Sequence, residues 1–187
     1  DGRTRRHGPL IRPDLQARDA RLHRLAGDRY RAMRLKLYQR HGTLPLSDAV
    51  PMLENFGFRV IGEMVTALGG LGAIHDFELE LPRATQAADV VRRSGEIEHA
   101  IAAVLTGEAE DDAFNRLIVA VALDMRAATW LRAFYRYLRQ TGLNFGNVTV
   151  VDALVNAPDV ARALVALFVA RHDPALAADR AAATLDA

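Results

Sequence analysis

Six histidines, a single lysine, one glycine-rich turn, one acidic run and one arginine stripe are the groups in this chain that could do chemistry. His7, His23, His41, His75, His99 and His172 show no i, i+4 pairing and no carboxylate at metal-ligand spacing. His75 stands beside Asp76, but neighbouring residues of a strand point to opposite faces and cannot chelate one ion together, so it reads as a structural histidine. Glu108, Glu110, Asp111 and Asp112 lack the glycine and terminal glutamate of a calcium loop; they suit the positive end of a following helix. Gly69-Gly70-Leu71-Gly72 has the wrong spacing for a dinucleotide turn and leads into no helix, which makes it a hairpin connection. Lys36 lies between Leu35 and Leu37 on an alternating segment, as a solvent or pairing residue. Arg132, Arg136 and Arg139 could grip phosphate or DNA as one face of a recognition helix, but arginines on the outer face of an amphipathic helix read as solvated. No catalytic, cofactor-binding or metal-ligating residue is assigned.

The composition narrows the classes further. Half of the 187 residues are hydrophobic, enough for one moderate domain or two small ones. There is no cysteine, which excludes a disulfide scaffold and any thiolate metal site. No apolar run approaches the roughly 20 residues that cross a bilayer, and the arginines of the first twelve residues precede no apolar signal segment. A cytoplasmic location without membrane contact is expected. Asp1 stands where an initiator methionine would be expected, so the chain is read as cut from a longer polypeptide. The net charge of +1 hides an asymmetry: residues 1–31 carry nine arginines against four acids. That arm has no aromatic residue before Tyr30 and mixes Arg with Asp, so a solvated linker helix is expected rather than a nucleic-acid arm.

The elements that must position these groups follow from periodicity. Pro13 opens a first helix, with Leu15, Leu22 and Leu25 as a thin apolar stripe as far as Gly27. Residues 33–38 alternate apolar and polar, the period of a half-buried strand. Ser47 is placed as the cap of a helix whose apolar side is Ala49, Val50, Leu53 and Phe56, with Pro51 in its first turn and Gly57 at its end. Residues 58–65 and 74–81 are two further strands joined by the glycine turn. On the third strand Phe77, Leu79 and Leu81 share one face, and Asp76, Glu78 and Glu80 share the other. A helical crossover makes the first two strands parallel, and a hairpin makes the third antiparallel to the second. If the third slots between the others, its acidic row lies beside Arg34 and Lys36.

Everything after Pro82 is helical in character, with a break at Ser94-Gly95. In the helix over 126–140, Leu131, Phe134 and Leu138 are placed inside and the three arginines outside, with Gly142 as the cap. Two more helices follow over 147–156 and 159–171, and an Ala-rich tail is helical after Pro174.

Three stretches resemble the large bacterial NAD-specific glutamate dehydrogenases. The first is Arg34-Leu35-Lys36-Leu37-Tyr38 with Pro45-Leu46-Ser47-Asp48, Pro51-Met52-Leu53-Glu54-Asn55 and Phe56-Gly57-Phe58-Arg59-Val60-Ile61. The second is Ile74-His75-Asp76-Phe77; the third joins Phe114-Asn115-Arg116-Leu117, Trp130-Leu131-Arg132 and Tyr135-Arg136-Tyr137-Leu138-Arg139-Gln140. The resemblance implies an α+β chain, mostly α overall: a small ACT-like β-α-β-β unit over 32–82 followed by a helical domain over 83–187; residues 1–31, read from their charge, precede it as a basic linker or helix. It implies a non-catalytic structural or regulatory segment, with NAD bound by the parent enzyme and no cofactor here. The partners implied are the rest of the same polypeptide including its catalytic core, other copies in a homo-oligomer, and a small-molecule effector of the ACT-like unit. A free-standing effector-binding module is the alternative. The β-α-β-β pattern leaves the 33–38 strand at an open edge, so a neighbouring segment or a second copy is expected to pair with it.

Overall fold

The computed structural model describes residues 18–40, 42–83, 85–142 and 144–174. Contacts divide it into two compact units, meeting in the chain between Asp112 and Ala113. The sequence-based start of the helical domain at residue 83 therefore falls inside the first unit.

The first unit is built on a four-stranded sheet: β1 (Arg18–His23), β2 (Ala32–Arg40), β3 (Arg59–Ala67) and β4 (Gly72–Glu80). The order is β1-β2-β4-β3, with every neighbouring pair antiparallel. The third strand of the expected β-α-β-β unit does slot between the other two, and the register sets Arg34 against Glu78 and Lys36 against Asp76. Alternation decides which face is buried. Met33, Leu35 and Leu37 of β2 and Phe77 and Leu79 of β4 are nearly inaccessible, while the residues between them are half-buried.

Helix α1 (Leu46–Asn55) makes the crossover from β2 to β3 and buries Ala49, Met52 and Leu53, with Phe56 just beyond its end. It starts earlier than expected. Pro45, extended at φ −61° and ψ 137°, is the N-cap residue, and its carbonyl accepts from Asp48 and Ala49, both at 3.0 Å. Ser47 therefore caps nothing; its hydroxyl turns to Asp48 Oδ1 at 3.3 Å. Pro51 lies past the first turn, and both it and Ser47, whose carbonyl loses the i→i−4 bond, are exposed to water.

Within the expected first helix over 13–27 the structure places a strand at Arg18–His23 and a loop and turn over 24–27; residues 13–17 lie outside the described set. In β1, Ala20 and Leu22 point into the core while Asp19 and Arg21 point out, a period of two. Leu25, the third member of the supposed helical stripe, is 52 % exposed. The deciding factor is the free edge of β2. A six-residue segment next to an unpaired ladder gains the whole set of cross-strand bonds, which outweighs a thin helical stripe. The strand that covers the 33–38 edge thus comes from upstream in the same chain.

Helices α2 (Ala87–Arg92) and α3 (Ser94–Leu105) are separated at Arg93, the break expected near Ser94-Gly95. Helix α3 packs on β1 and seals its outer edge: Leu22 N–H donates to Glu98 Oε1 at 2.7 Å, and Ala20 N–H is taken by Asp19 Oδ1 at 2.9 Å. Glu98→Ala is expected to cost about 1 kcal/mol by leaving the Leu22 amide without its acceptor. Hydrogen exchange should report it as faster exchange at Leu22; unchanged protection there would count against the seal.

The second unit is helical. A 3₁₀ turn (Ala113–Asn115) leads into α4 (Arg116–Ala120), followed by α5 (Met125–Gln140), α6 (Asn147–Asn156) and α7 (Pro158–His172). The β-branched run at 148–151 is helix, as expected. Phe114, Leu117, Val121, Leu131, Val151 and Ala161 form the centre of its core. Phe168 of α7 packs on Trp130 and Phe134 of α5, both with ring centroids at 5.0 Å. Asp124 caps α5 by accepting Ala127 N–H at 2.6 Å. Among the described residues no single helix is long and apolar enough to cross a membrane; α6 and α7 reach that composition only jointly, bent by 101°.

Candidate functional site

The open face of the sheet carries the charged residues that alternation excludes from the core. Lys36 Nζ donates to Asp76 Oδ2, and Arg34 Nη2 lies 3.6 Å from Asp28 Oδ1. Arg34 Nε and Asp76 Oδ1 are buried and carry no hydrogen bond among the described residues. At one end of this face Glu80 is bracketed by two arginines: Arg31 Nη2 donates to its Oε1, and Arg59 Nη1 reaches its Oε2 at 3.4 Å. Arg31 also ties the strand ends together through Leu81, whose N–H donates to the Arg31 carbonyl at 2.9 Å. Around these groups lies a cleft of about 460 Å³, lined by Arg29, Tyr30 and Arg31 ahead of β2, Arg59 and Ile61 of β3, and Glu78 and Glu80 of β4. Three segments distant in sequence meet there because β2, β3 and β4 all bring the same ends together.

His75 occupies the opposite, buried face. Its Nε2 lies 3.1 Å from the backbone nitrogen of Leu44, and its Nδ1 lies 2.6 Å from Glu63 Oε1. A backbone N–H can only donate, so Nε2 is the acceptor and the ring proton sits on Nδ1, which donates to Glu63. His75 is 1 % exposed and stacks on Phe77 with centroids at 6.3 Å. It links β3, β4 and the segment entering α1. The structural role expected of it holds; the carboxylate that serves it is Glu63 on the next strand, not the adjacent Asp76.

The other candidates are dispersed. The glycine turn joins β3 to β4 through a 3₁₀ turn (Gly69–Leu71), and a strand follows it. Its glycines serve the hairpin: Gly69 has φ +61°, and a Cβ on Gly72 would lie 2.0 Å from the Gln39 carbonyl oxygen. The turn leads into β4 rather than into a helix whose N-terminus could receive a pyrophosphate, so it is not built as a dinucleotide turn. The acids at 108–112 precede the 3₁₀ turn rather than opening an α-helix, and Asp111 Oδ1 accepts from Asn55 Nδ2 at 2.9 Å.

The arginine stripe is split. Arg136 and Arg139 are exposed, but Arg132, expected outside, is 4 % exposed and donates from Nη2 to Asn115 Oδ1 at 2.9 Å. Its guanidinium carbon lies 5.9 Å from the centroid of Phe114. Leu138, expected inside, is 47 % exposed. The buried face of α5 runs through Ala127, Ala128 and Leu131, so Arg132, four residues after Ala128, turns inward and is buried with a hydrogen-bonding partner. Sequence reasoning missed four features: the Glu63–His75 pair, the buried Arg132, the cleft and the Asp124 cap. Only the last had a local signal, an Asp immediately before the periodic segment.

Comparison with known proteins is consistent along the chain. Residues 18–91 match the family model described as the ACT3 domain of glutamate dehydrogenase, and residues 109–174 match its helical motif 3. The first match begins at β1, in agreement with that strand's place in the sheet. The chain is 40 % identical over 157 residues to an NAD-specific glutamate dehydrogenase of Halomonas elongata, an alignment covering 82 % of this chain and 10 % of that protein. It is 39 % identical over 140 residues to the enzyme of that name from Pseudomonas aeruginosa, covering 73 % of the chain and 9 % of the relative. The Mycobacterium tuberculosis enzyme of that name is 31 % identical over 140 residues, with coverage of 71 % and 9 %. The chain thus spans about a tenth of the length of the curated relatives it matches. A free-standing ACT-like module finds no support among these matches. The chain belongs to the NAD-specific glutamate dehydrogenase family, as the segment that carries its ACT3 domain and helical motif 3.

Proposed function

We propose that this chain is a non-catalytic structural and regulatory segment of an NAD-dependent glutamate dehydrogenase, a cytoplasmic homo-oligomer. The whole enzyme converts L-glutamate, NAD and water to 2-oxoglutarate, ammonia and NADH; this segment positions its catalytic core and binds no NAD itself. One observation carries the reading. The chain's only lysine is engaged by Asp76 across the sheet, and its only glycine-rich turn is a β-hairpin. Glutamate dehydrogenase chemistry uses lysines that hold the substrate carboxylate and polarise the reacting carbon, and a strand-to-helix turn that holds the dinucleotide. Neither is supplied by these residues.

The test compares the 187-residue chain with the intact enzyme. The chain alone is expected to show no NAD binding by calorimetry and no glutamate-dependent NADH formation, while the intact enzyme shows both. Saturable NAD binding by the isolated chain would overturn the proposal.

A further inference from the structure

The cleft between the start of β2, the start of β3 and the end of β4 has an unbalanced charge. Three guanidinium groups, Arg29, Arg31 and Arg59, line it against two carboxylates. Glu80 is already held by Arg31 and Arg59. Glu78 stands opposite Arg34 in the β2–β4 register, but Arg34 is itself paired with Asp28 at 3.6 Å, so the Glu78 carboxylate keeps its charge in the cleft. Arg59 meets Glu80 only at 3.4 Å, and its side chain is 76 % exposed. The Arg29 side chain is exposed, and its guanidinium carries no hydrogen bond or ion pair among the described residues. Arg29 is thus available to a ligand, and Arg59, held only loosely by Glu80, can turn to one as well. An arginine fork donates two parallel bonds to one oxyanion, and a concave site with a partly apolar wall strengthens them relative to open water. Ile61 supplies such a wall, and the Tyr30 hydroxyl, hydrogen-bonded to Gln86 Oε1, holds its ring in place at the rim.

We propose that this cleft is a binding site for a small dianion, a phosphate group or a dicarboxylate, with Arg29 and Arg59 as its donors. Arg31, tied to Glu80 and to the Leu81 carbonyl at 3.4 Å, shapes the floor of the site. Glu78 opposes the ligand and sets an upper limit on its affinity. The inference goes beyond the function proposed above. It is tested on this chain alone, so its failure leaves the questions of NAD binding and parentage untouched.

The experiment titrates the 187-residue chain with inorganic phosphate and, separately, with succinate, following backbone amide shifts with sodium chloride holding ionic strength constant. Saturable shifts at Arg29, Ile61 and Glu80 are expected with at least one probe. Saturation by phosphate alone identifies a phosphate-group site, and saturation by succinate alone identifies a dicarboxylate site. Arg29→Gln removes a group without a partner among the described residues, so it tests the site without threatening the fold; it is expected to weaken binding about tenfold, the loss of one charge-assisted bond. Arg59→Gln should do likewise. Glu78→Gln is expected to tighten binding severalfold. Shifts that stay linear with both probes, binding unchanged by Arg29→Gln, or binding weakened by Glu78→Gln would each overturn the proposal, the last because it signals a ligand with a positive charge.

Discussion

Replacing His75 with alanine is expected to destabilise the sheet unit by about 3–5 kcal/mol, measured by urea denaturation followed by circular dichroism. The substitution does three things at once. It opens a cavity beside Phe77 in a region where His75 is 1 % exposed. It leaves the Leu44 amide, 3.1 Å from Nε2, with no acceptor. It strands the Glu63 carboxylate, whose side chain is only 13 % exposed and whose Oε1 lies 2.6 Å from Nδ1. The last effect dominates, because removing one partner of a buried pair costs more than the pair contributes. Glu63→Gln separates the terms: a neutral amide oxygen still accepts the Nδ1 proton, so a loss of about 1 kcal/mol is expected. Should His75→Ala and Glu63→Gln prove equally mild, the bridge from β3 through β4 to the α1 entry is not what holds that segment.

Gly72→Ala is expected to cost about 3 kcal/mol or more, again read from the denaturation midpoint. Two constraints coincide at this position. The residue has φ +140°, which L side chains rarely adopt, and its Cβ would sit 2.0 Å from the Gln39 carbonyl oxygen, a backbone atom of the paired strand. Relief requires β2 and β4 to separate where Arg40 pairs with Gly72. Gly62 provides the contrast. It adjoins the irregularity in β3 after Val60, and a Cβ there meets nothing within 4 Å. Gly62→Ala should therefore stay within about 0.5 kcal/mol of the parent chain. Equal losses at the two glycines would mean that close approach to Gln39 is not the reason for Gly72.

The two-residue alternation of β2 and β4 made both strands legible, and the connection rules gave the directions of the three strands; the central place of β4 was only one arrangement they allow. The opposite charges of Lys36 and Asp76 agreed with that register in advance. Residues 18–23 were misread because so short a segment carries little intrinsic preference; Leu22 fits a helical stripe and a strand equally. Arg132 was misread because the burial of α5 is set by which side meets the 3₁₀ turn at Ala113–Asn115, and an arginine can enter a core once Asn115 receives its guanidinium.

By itself the sequence determined what depends on neighbours a few residues apart: strand alternation, the break between α2 and α3, the glycine caps and hairpin, and the absence of thiolate chemistry. Tertiary structure alone decided what depends on partners far along the chain. The free edge of β2 made 18–23 a strand, the register of β3 brought Glu63 to His75, and three strand ends set Arg29, Arg59 and Glu78 around one cleft. The physical reason is the same in each case. A backbone edge and a buried carboxylate require partners and a cleft requires walls, and nothing local in the chain specifies which distant residues will supply them.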